Sequence, residues 1–267
     1  MKVFYGPRSG RICPGKIKGD IKIKALILAA GYATRLYPLT KEYPKPLLKV
    51  RNRPIINYII DNLNGVKELD EIFVVTNNKF INKFRDWRAD LKSLKRITLV
   101  NDKTKSNTDR LGAIGDLSFV LGKKNIKDDL LVIGGDNLFS GSLKAFVEFA
   151  QGKRPNTTIG SYRLKNLKDA SKYGVVKINK QGKVLDFKEK PKNPKSLFVA
   201  MCLYYIPKEQ FNLIGHYIKI KRAKVDVTGK YISWLKERSG IYSYLFTGSW
   251  YDIGDYKYLN AAKNDFV

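Results

Sequence analysis

Histidine occurs once in the 267 residues, at His216, and cysteine twice, at Cys13 and Cys202. That count excludes a histidine-rich metal site and a histidine-based catalytic triad. His216 falls on a predicted helix with Phe211 and Ile218 nearby, a packing position. Two cysteines suggest no disulfide framework, so a reducing cytoplasm is expected. No apolar run reaches the roughly 18 to 20 residues that span a bilayer, so no membrane is expected as a partner. The longest, Phe198 to Ile206, is bounded by Ser196 and Pro207 and reads as a buried strand. Residues 1–23 are basic without a continuous apolar core and do not read as a secretory signal. The absence of any Gly-Lys-Ser/Thr triplet removes a Walker loop. There is no internal repeat and no low-complexity segment.

Acid is scarce too: 24 Asp and Glu face 51 Lys and Arg, a formal charge of +27. Such an excess raises nucleic acid or an anionic surface as a partner. The cations are nevertheless spread along the chain, at Lys123-Lys124, Lys190 to Lys195 and Lys219 to Lys224. No zinc finger, RNA-recognition signature or arginine-rich run accompanies them, so nucleic acid is not the expected partner. A lysine-biased proteome combined with polyanionic small substrates accounts for the charge.

What is present is a core-forming α/β pattern. Hydrophobic residues make up 43% and aromatics 12%, which argues against disorder. Residues 1–22, with Gly6-Pro7, Pro14-Gly15 and Gly19, read as a loose basic arm, and residues 23–267 as one domain. Strands are predicted at 24–29, 71–76, 97–100 and 130–134, with helix faces between them such as Ile55, Ile56, Ile59, Ile60 and Leu63. Leu143, Phe146, Val147 and Ala150 mark another helix. Further strands follow at 157–163, 174–178, 183–188, 198–206 and 241–247, with a hairpin connection at 179–182 and helices at 208–220, 227–238 and the C-terminus. The expectation is a single mixed, mostly parallel central sheet flanked by helices.

The most informative stretch begins where the apolar run Ala25-Leu26-Ile27-Leu28 stops at Ala29-Ala30-Gly31. A turn with so little side-chain bulk lets backbone N–H groups approach an anion closely. Thr34 and Arg35 follow, then Lys45 between Pro44 and Pro46. A guanidinium and a proline-restrained ammonium suit a polyphosphate. A Rossmann dinucleotide fingerprint fails, because Gly31-x-Ala33 lacks the third glycine. Gly134-Gly135-Asp136-Asn137 follows the strand at 130–134, so Asp136 sits where open α/β sheets bind ligands. An Asx turn or helix cap is the alternative for Asp136.

Gly31-Tyr-Ala-Thr-Arg-Leu-Tyr-Pro-Leu-Thr40 and Pro44-Lys45-Pro46 resemble the signature of the sugar-phosphate nucleotidyltransferases, G-x-G-T-R-L-x-P-L-T then P-K-P. The overall resemblance is to short glucose-1-phosphate thymidylyltransferase and uridylyltransferase members. Ala33 replaces the usual second glycine. Leu111-Gly-Ala-Ile-Gly115, Tyr173-Gly-Val-Val176, Glu189-Lys-Pro191 and Trp250-Tyr-Asp-Ile-Gly254 resemble further family segments in the expected order. Gly174 reads equally as the start of a strand, and Glu189 and Lys190 out of context read as a solvated surface.

The resemblance implies a Rossmann-like fold akin to the A-type glycosyltransferases. It implies condensation of an NTP with a sugar-1-phosphate to an NDP-sugar and pyrophosphate, with dTTP or UTP as donor and Mg²⁺ as cofactor. Asp136 and Asp252 would carry the metal. Leu28, Ala29, Ala30, Gly31, Thr34, Arg35, Gly112 and Asp136 would line the nucleotide; Arg35 and Lys45 would act on its phosphates. Gly174, Glu189, Lys190 and Asp226 would hold the sugar phosphate. Asp226-Val-Thr-Gly229 departs from the family's E-x-T-D, which leaves the sugar open, and Asn101 and Asn107 are candidates for an amide edge toward the base. A cytidylyltransferase acting on a non-sugar phosphomonoester and a non-catalytic ligand-sensing subunit are the rival readings, and a homo-oligomer is left open.

Overall fold

The structure is a computed structural model that describes residues 21–221 and 227–266. The arm expected over 1–22 and the candidate Asp226 lie, but for Ile21 and Lys22, outside the described residues. The chain begins β1 (Ile23–Leu28), a small ribbon of β2 (Lys49–Val50) and β3 (Arg53–Pro54), α1 (Ile55–Asn64), β4 (Leu69–Thr76), α2 (Ile81–Ala89) and β5 (Arg96–Asn101). It continues α3 (Ala113–Lys124), β6 (Asp129–Gly134), β7 (Asn137–Phe139), α4 (Leu143–Gln151) and β8 (Thr157–Arg163). The last part is β9 (Gly174–Ile178), β10 (Val184–Glu189), β11 (Phe198–Ile206), α5 (Phe211–Lys221), α6 (Thr228–Lys236), β12 (Ile241–Phe246), β13 (Trp250–Asp252) and α7 (Tyr256–Asp265).

Strands β1, β4, β5 and β6 form a parallel block in the order β5-β4-β1-β6. The chain therefore leaves β1 in one direction and returns on its other side at β6. That reversal puts a switch-point crevice beyond the C-terminal ends of β1 and β6, the place where such sheets bind ligands. Strand β11 extends the sheet antiparallel. It is longer than its neighbour, so Leu203–Ile206 pair with β6 while Val199 reaches β9. Strands β8 and β12 close the sheet on the far side of β11, and the β9–β10 hairpin forms a flap beside β6. Its connection is the expected one: Gly182 at φ 79°, with the Asn179 side chain accepting from the N–H of Gln181 at 3.0 Å and of Lys183 at 2.9 Å.

Alternation along β1 divides the core. Ala25 and Ile27 enter a cluster with Ile56, Ile59, Ile60, Phe84, Phe146 and Val147 from α1, α2 and α4. Leu26 faces Ile114, Leu117, Tyr217, Tyr231 and Leu235 from α3, α5 and α6. A strand buried on both faces reads as a continuous apolar run, which is why β1 past Lys24, paired at its start with Asp70, is apolar on both sides. A third cluster joins distant segments: Leu259, Ala262 and Phe266, in and just after α7, pack with Leu36, Val50, Ile55, Leu138 and Ile253. The Tyr256 hydroxyl lies 3.1 Å from the carbonyl oxygen of Leu36 and 2.9 Å from that of Tyr37. The last helix thus holds the loop that follows β1.

Candidate active site

A cleft of about 530 Å³ opens at this switch point. Its wall on the β1 side includes Leu28, Ala30, Gly31, Thr34, Arg35 and Lys45. Gly112 and Ala113 at the start of α3 form one end; Gly174, Glu189 and Lys190 of the flap, with Thr228 and Gly229 of α6, form the other. Asp136 and Asp252 lie between. Of the residues expected at the nucleotide, Ala29 alone does not line the cleft; it packs into the first core cluster, and its N–H donates to the Val75 carbonyl at 2.9 Å.

The loop after β1 is held from below. The Asn77 amide donates to the Ala30 carbonyl at 2.9 Å, and its oxygen accepts from the Phe80 N–H at 3.0 Å. The Thr40 hydroxyl donates to the Ala33 carbonyl at 2.7 Å. Ala33 itself adopts φ 49°, ψ 41°, in the left-handed region. The family's glycine at this position is thereby explained: the backbone bends where a Cβ is disfavoured.

The two carboxylates are brought together by backbone pairing. Strand β13 pairs antiparallel with β7 so that Asp252 stands opposite Asn137. The Ile253 N–H donates to the Asp136 carbonyl at 3.1 Å, and the Trp250 indole donates to the Asn137 side chain at 2.9 Å. The Trp250 ring is wedged between Tyr162 and Tyr173, at centroid distances of 5.4 and 5.2 Å. Lys45 forms an ion pair with Asp136. The Lys45 loop comes this close because Gly135 has no Cβ, which would stand 3.0 Å from Pro46 Cγ. Burial works against the Lys45 charge, but Asp136 and Asp252 outweigh it and hold its pKa above the usual lysine value. Burial raises the Asp252 carboxyl, and the charge of Asp136 adds to that; Lys45, Lys190 and Arg35 oppose it without cancelling it.

This donor set suits a hard cation. Two carboxylates bordered by open cleft match magnesium, which takes one or two protein carboxylates and fills its shell with water and phosphate oxygens. The Asp252 carboxyl, raised first by burial and then by the charge of Asp136, would ionise more readily with a cation between the two. No cluster of three or more His, Cys, Asp and Glu suited to a metal occurs among the described residues, so an all-protein cage is not offered.

Glu189 and Lys190 are adjacent in sequence, and on a regular strand they would point apart. Strand β10 ends at Glu189 and Lys190 turns to φ 44°, so both side chains line the cleft. Asn107 lines the cleft, whereas the Asn101 amide is turned to Asn78 at 3.0 Å. His216 packs against Trp234 and is not in the lining. Asp255, where the family has threonine, caps α7 by accepting from the Tyr258 N–H at 3.1 Å.

Sequence reasoning missed Asp116, Cys202 and Tyr204, all in the lining. Asp116 stands in the first turn of α3 and shares a hydrogen bond with Asp102, whose carboxyl burial pushes up against the bonds from Thr104. Its signal was an acid on an otherwise apolar helix face beside Leu117 and Val120. Cys202 is pushed up to about 12 by burial and by the charges of Asp136 and Asp252, so it is no nucleophile at neutral pH.

A doubly wound sheet with a switch-point cleft that gathers cations and two carboxylates has the architecture of the ligand-binding α/β class. Comparison with known proteins narrows this. Residues 24–266 match the nucleotidyl transferase profile, and the chain belongs to that family. It is 32% identical over 241 residues to a Sulfolobus acidocaldarius protein provisionally designated a mannose-1-phosphate guanyltransferase, covering 89% of this chain but only 62% of that one. It is 26% identical over 245 residues to a glucose-1-phosphate thymidylyltransferase of Neisseria meningitidis, covering 90% of this chain and 81% of that one. The fold is that of a UDP-glucose pyrophosphorylase solved with UDP-glucose, at a TM-score of 0.76 and 21% identity over 92% of this chain and 98% of that one.

Two stability measurements test the geometry. Ala33→Gly should raise stability by roughly 1 kcal/mol by relieving the left-handed alanine, read as a Tm shift of about 2–4 °C. A lower Tm would mean that the methyl group packs favourably. Asp252→Asn, which removes the uncompensated carboxylate, should raise Tm in the absence of divalent cations. If the two carboxylates hold Mg²⁺, the added ion should stabilise the parent and leave the variant nearly unchanged; equal Mg²⁺ stabilisation of both would rule Asp252 out as a ligand.

Proposed function

We propose that the chain catalyses NTP + sugar-1-phosphate → NDP-sugar + pyrophosphate. The observation that carries the reading is the convergence of Arg35, Lys45, Asp136, Lys190 and Asp252, from five separate segments, on one cleft. The attacking group is an oxygen of the sugar phosphate, ionised at neutral pH, so the chain needs no general base. That oxygen bonds to the α-phosphorus as the bond to the pyrophosphate oxygen breaks in line with it. Catalysis reduces to alignment and neutralisation of charge.

In this reading Gly31 and Thr34 present backbone to the triphosphate and Arg35 holds the departing pyrophosphate. Lys45 exchanges its contact with Asp136 for the α-phosphate. Lys190 holds the attacking phosphate, and Glu189 accepts from sugar hydroxyls. Asp136 and Asp252 hold Mg²⁺, which when bound neutralises phosphate charge. A pyrimidine nucleotide, dTTP or UTP, is the preferred donor, on the overall resemblance to thymidylyl and uridylyl enzymes. The sensor reading is disfavoured because a sensor has no need of both carboxylates and both phosphate-facing cations.

Pyrophosphate release, screened over the common NTPs and a panel of sugar-1-phosphates, tests this directly. Mg²⁺-dependent turnover with at least one pair is expected, and its absence with every pair favours the sensor. Within an active pair, Asp136→Asn and Asp252→Asn should each lower kcat/KM on the order of a thousandfold, and together far less than the product. A clear preference for GTP, the nucleotide implied by the name of the Sulfolobus relative, would overturn the pyrimidine assignment alone.

A further inference from the structure

Glu189 stands in an unusual setting. Its carboxylate is half-buried at the end of β10 and accepts no hydrogen bond from the described residues; its charged neighbours are Lys190 and Lys230. The space it fills is bounded by two glycines from different elements. A Cβ at Gly174, the first residue of β9, would lie 3.1 Å from Glu189 Oε2. A Cβ at Gly229, in the first turn of α6, would lie 1.7 Å from the same oxygen and 2.4 Å from Cδ, inside van der Waals contact. The carboxylate therefore occupies the volume that a side chain at position 229 would take.

We propose that Gly229 is a specificity-determining positioning residue for the sugar half of the cleft, acting by making room for the Glu189 carboxylate. The inference rests on the reading of this cleft as a sugar-1-phosphate site and adds a residue to it. With glycine at 229 the carboxylate withdraws into the slot between Gly174 and Gly229, keeping oxygens open to the cleft and leaving the volume in front of them to the substrate. Any side chain at 229 evicts the carboxylate into that volume. Gly229 has an ordinary helical backbone, since its φ is outside the left-handed region. Alanine is the better helix former, so backbone conformation does not require the glycine. The three atoms that a Cβ at 229 would meet first all belong to the Glu189 carboxylate, and the loss of helix propensity is offset in function rather than in stability.

Gly229→Ala provides the test, with Gly215→Ala as control. Gly215 is also helical, on α5, and a Cβ there meets nothing within 4 Å. Both variants should fold with unchanged or higher Tm. In Gly229→Ala, KM for the sugar-1-phosphate should rise roughly tenfold or more, as expected for loss of a charge-assisted hydrogen bond, while KM for the nucleotide stays within about twofold. The control should keep both constants. In a Glu189→Ala background the same change should add nothing, because the group it displaces is gone. An active parent whose Gly229→Ala variant keeps its sugar-1-phosphate KM would overturn this inference and leave the activity standing. So would an effect that persists fully in the Glu189→Ala background. A parent inactive with every NTP and sugar-1-phosphate pair overturns the activity itself and this role with it.

Discussion

The structure depends on holding two like charges side by side. Asp136 and Asp252 come from segments more than a hundred residues apart, and their proximity is fixed by main-chain pairing. Strands of three residues have little stability of their own. The β7–β13 pair is held by the Trp250–Asn137 bond, by the rings of Tyr162 and Tyr173, and by the packing of α7 beneath it. Burial first, and then the charge of Asp136, keep the Asp252 carboxyl raised, and Lys45, Lys190 and Arg35 offset this only in part. Three apolar clusters elsewhere supply the stability that lets the site stay electrostatically incomplete.

Much of this was legible in the residues. The apolar run of β1, the helix faces of α1 and α4 and the hairpin at 179–182 all appear where periodicity and turn chemistry put them. Arg35, Lys45, Asp136, Gly174, Glu189, Lys190 and Asp252 all reach one cleft. Where the chain broke a local rule, the structure shows the reason: Lys190 lies beside Glu189 on the same side because its backbone is left-handed. Other features had no local signal. The β7–β13 pair is too short for period-two alternation to show. The Asp102–Asp116 contact joins a strand end to a helix start. Cys202 and Tyr204 belong to the face of β11 that lines the cleft, and nothing in a continuous apolar strand distinguishes that face from its opposite.

The docking of α7 has a consequence for the order of events in synthesis. The loop that carries Arg35 leaves the ribosome early, yet Leu36 finds its packing partners in Leu259, Ala262 and Phe266, and its carbonyl faces the hydroxyl of Tyr256. Asp136 likewise waits for Asp252 and Ile253. A nascent chain can therefore lay down the parallel block of the sheet while neither the loop after β1 nor the carboxylate pair is complete. The cleft is completed only when a segment more than a hundred residues beyond Asp136 has been made, so a product cut before Trp250 would hold the parallel sheet without the second carboxylate.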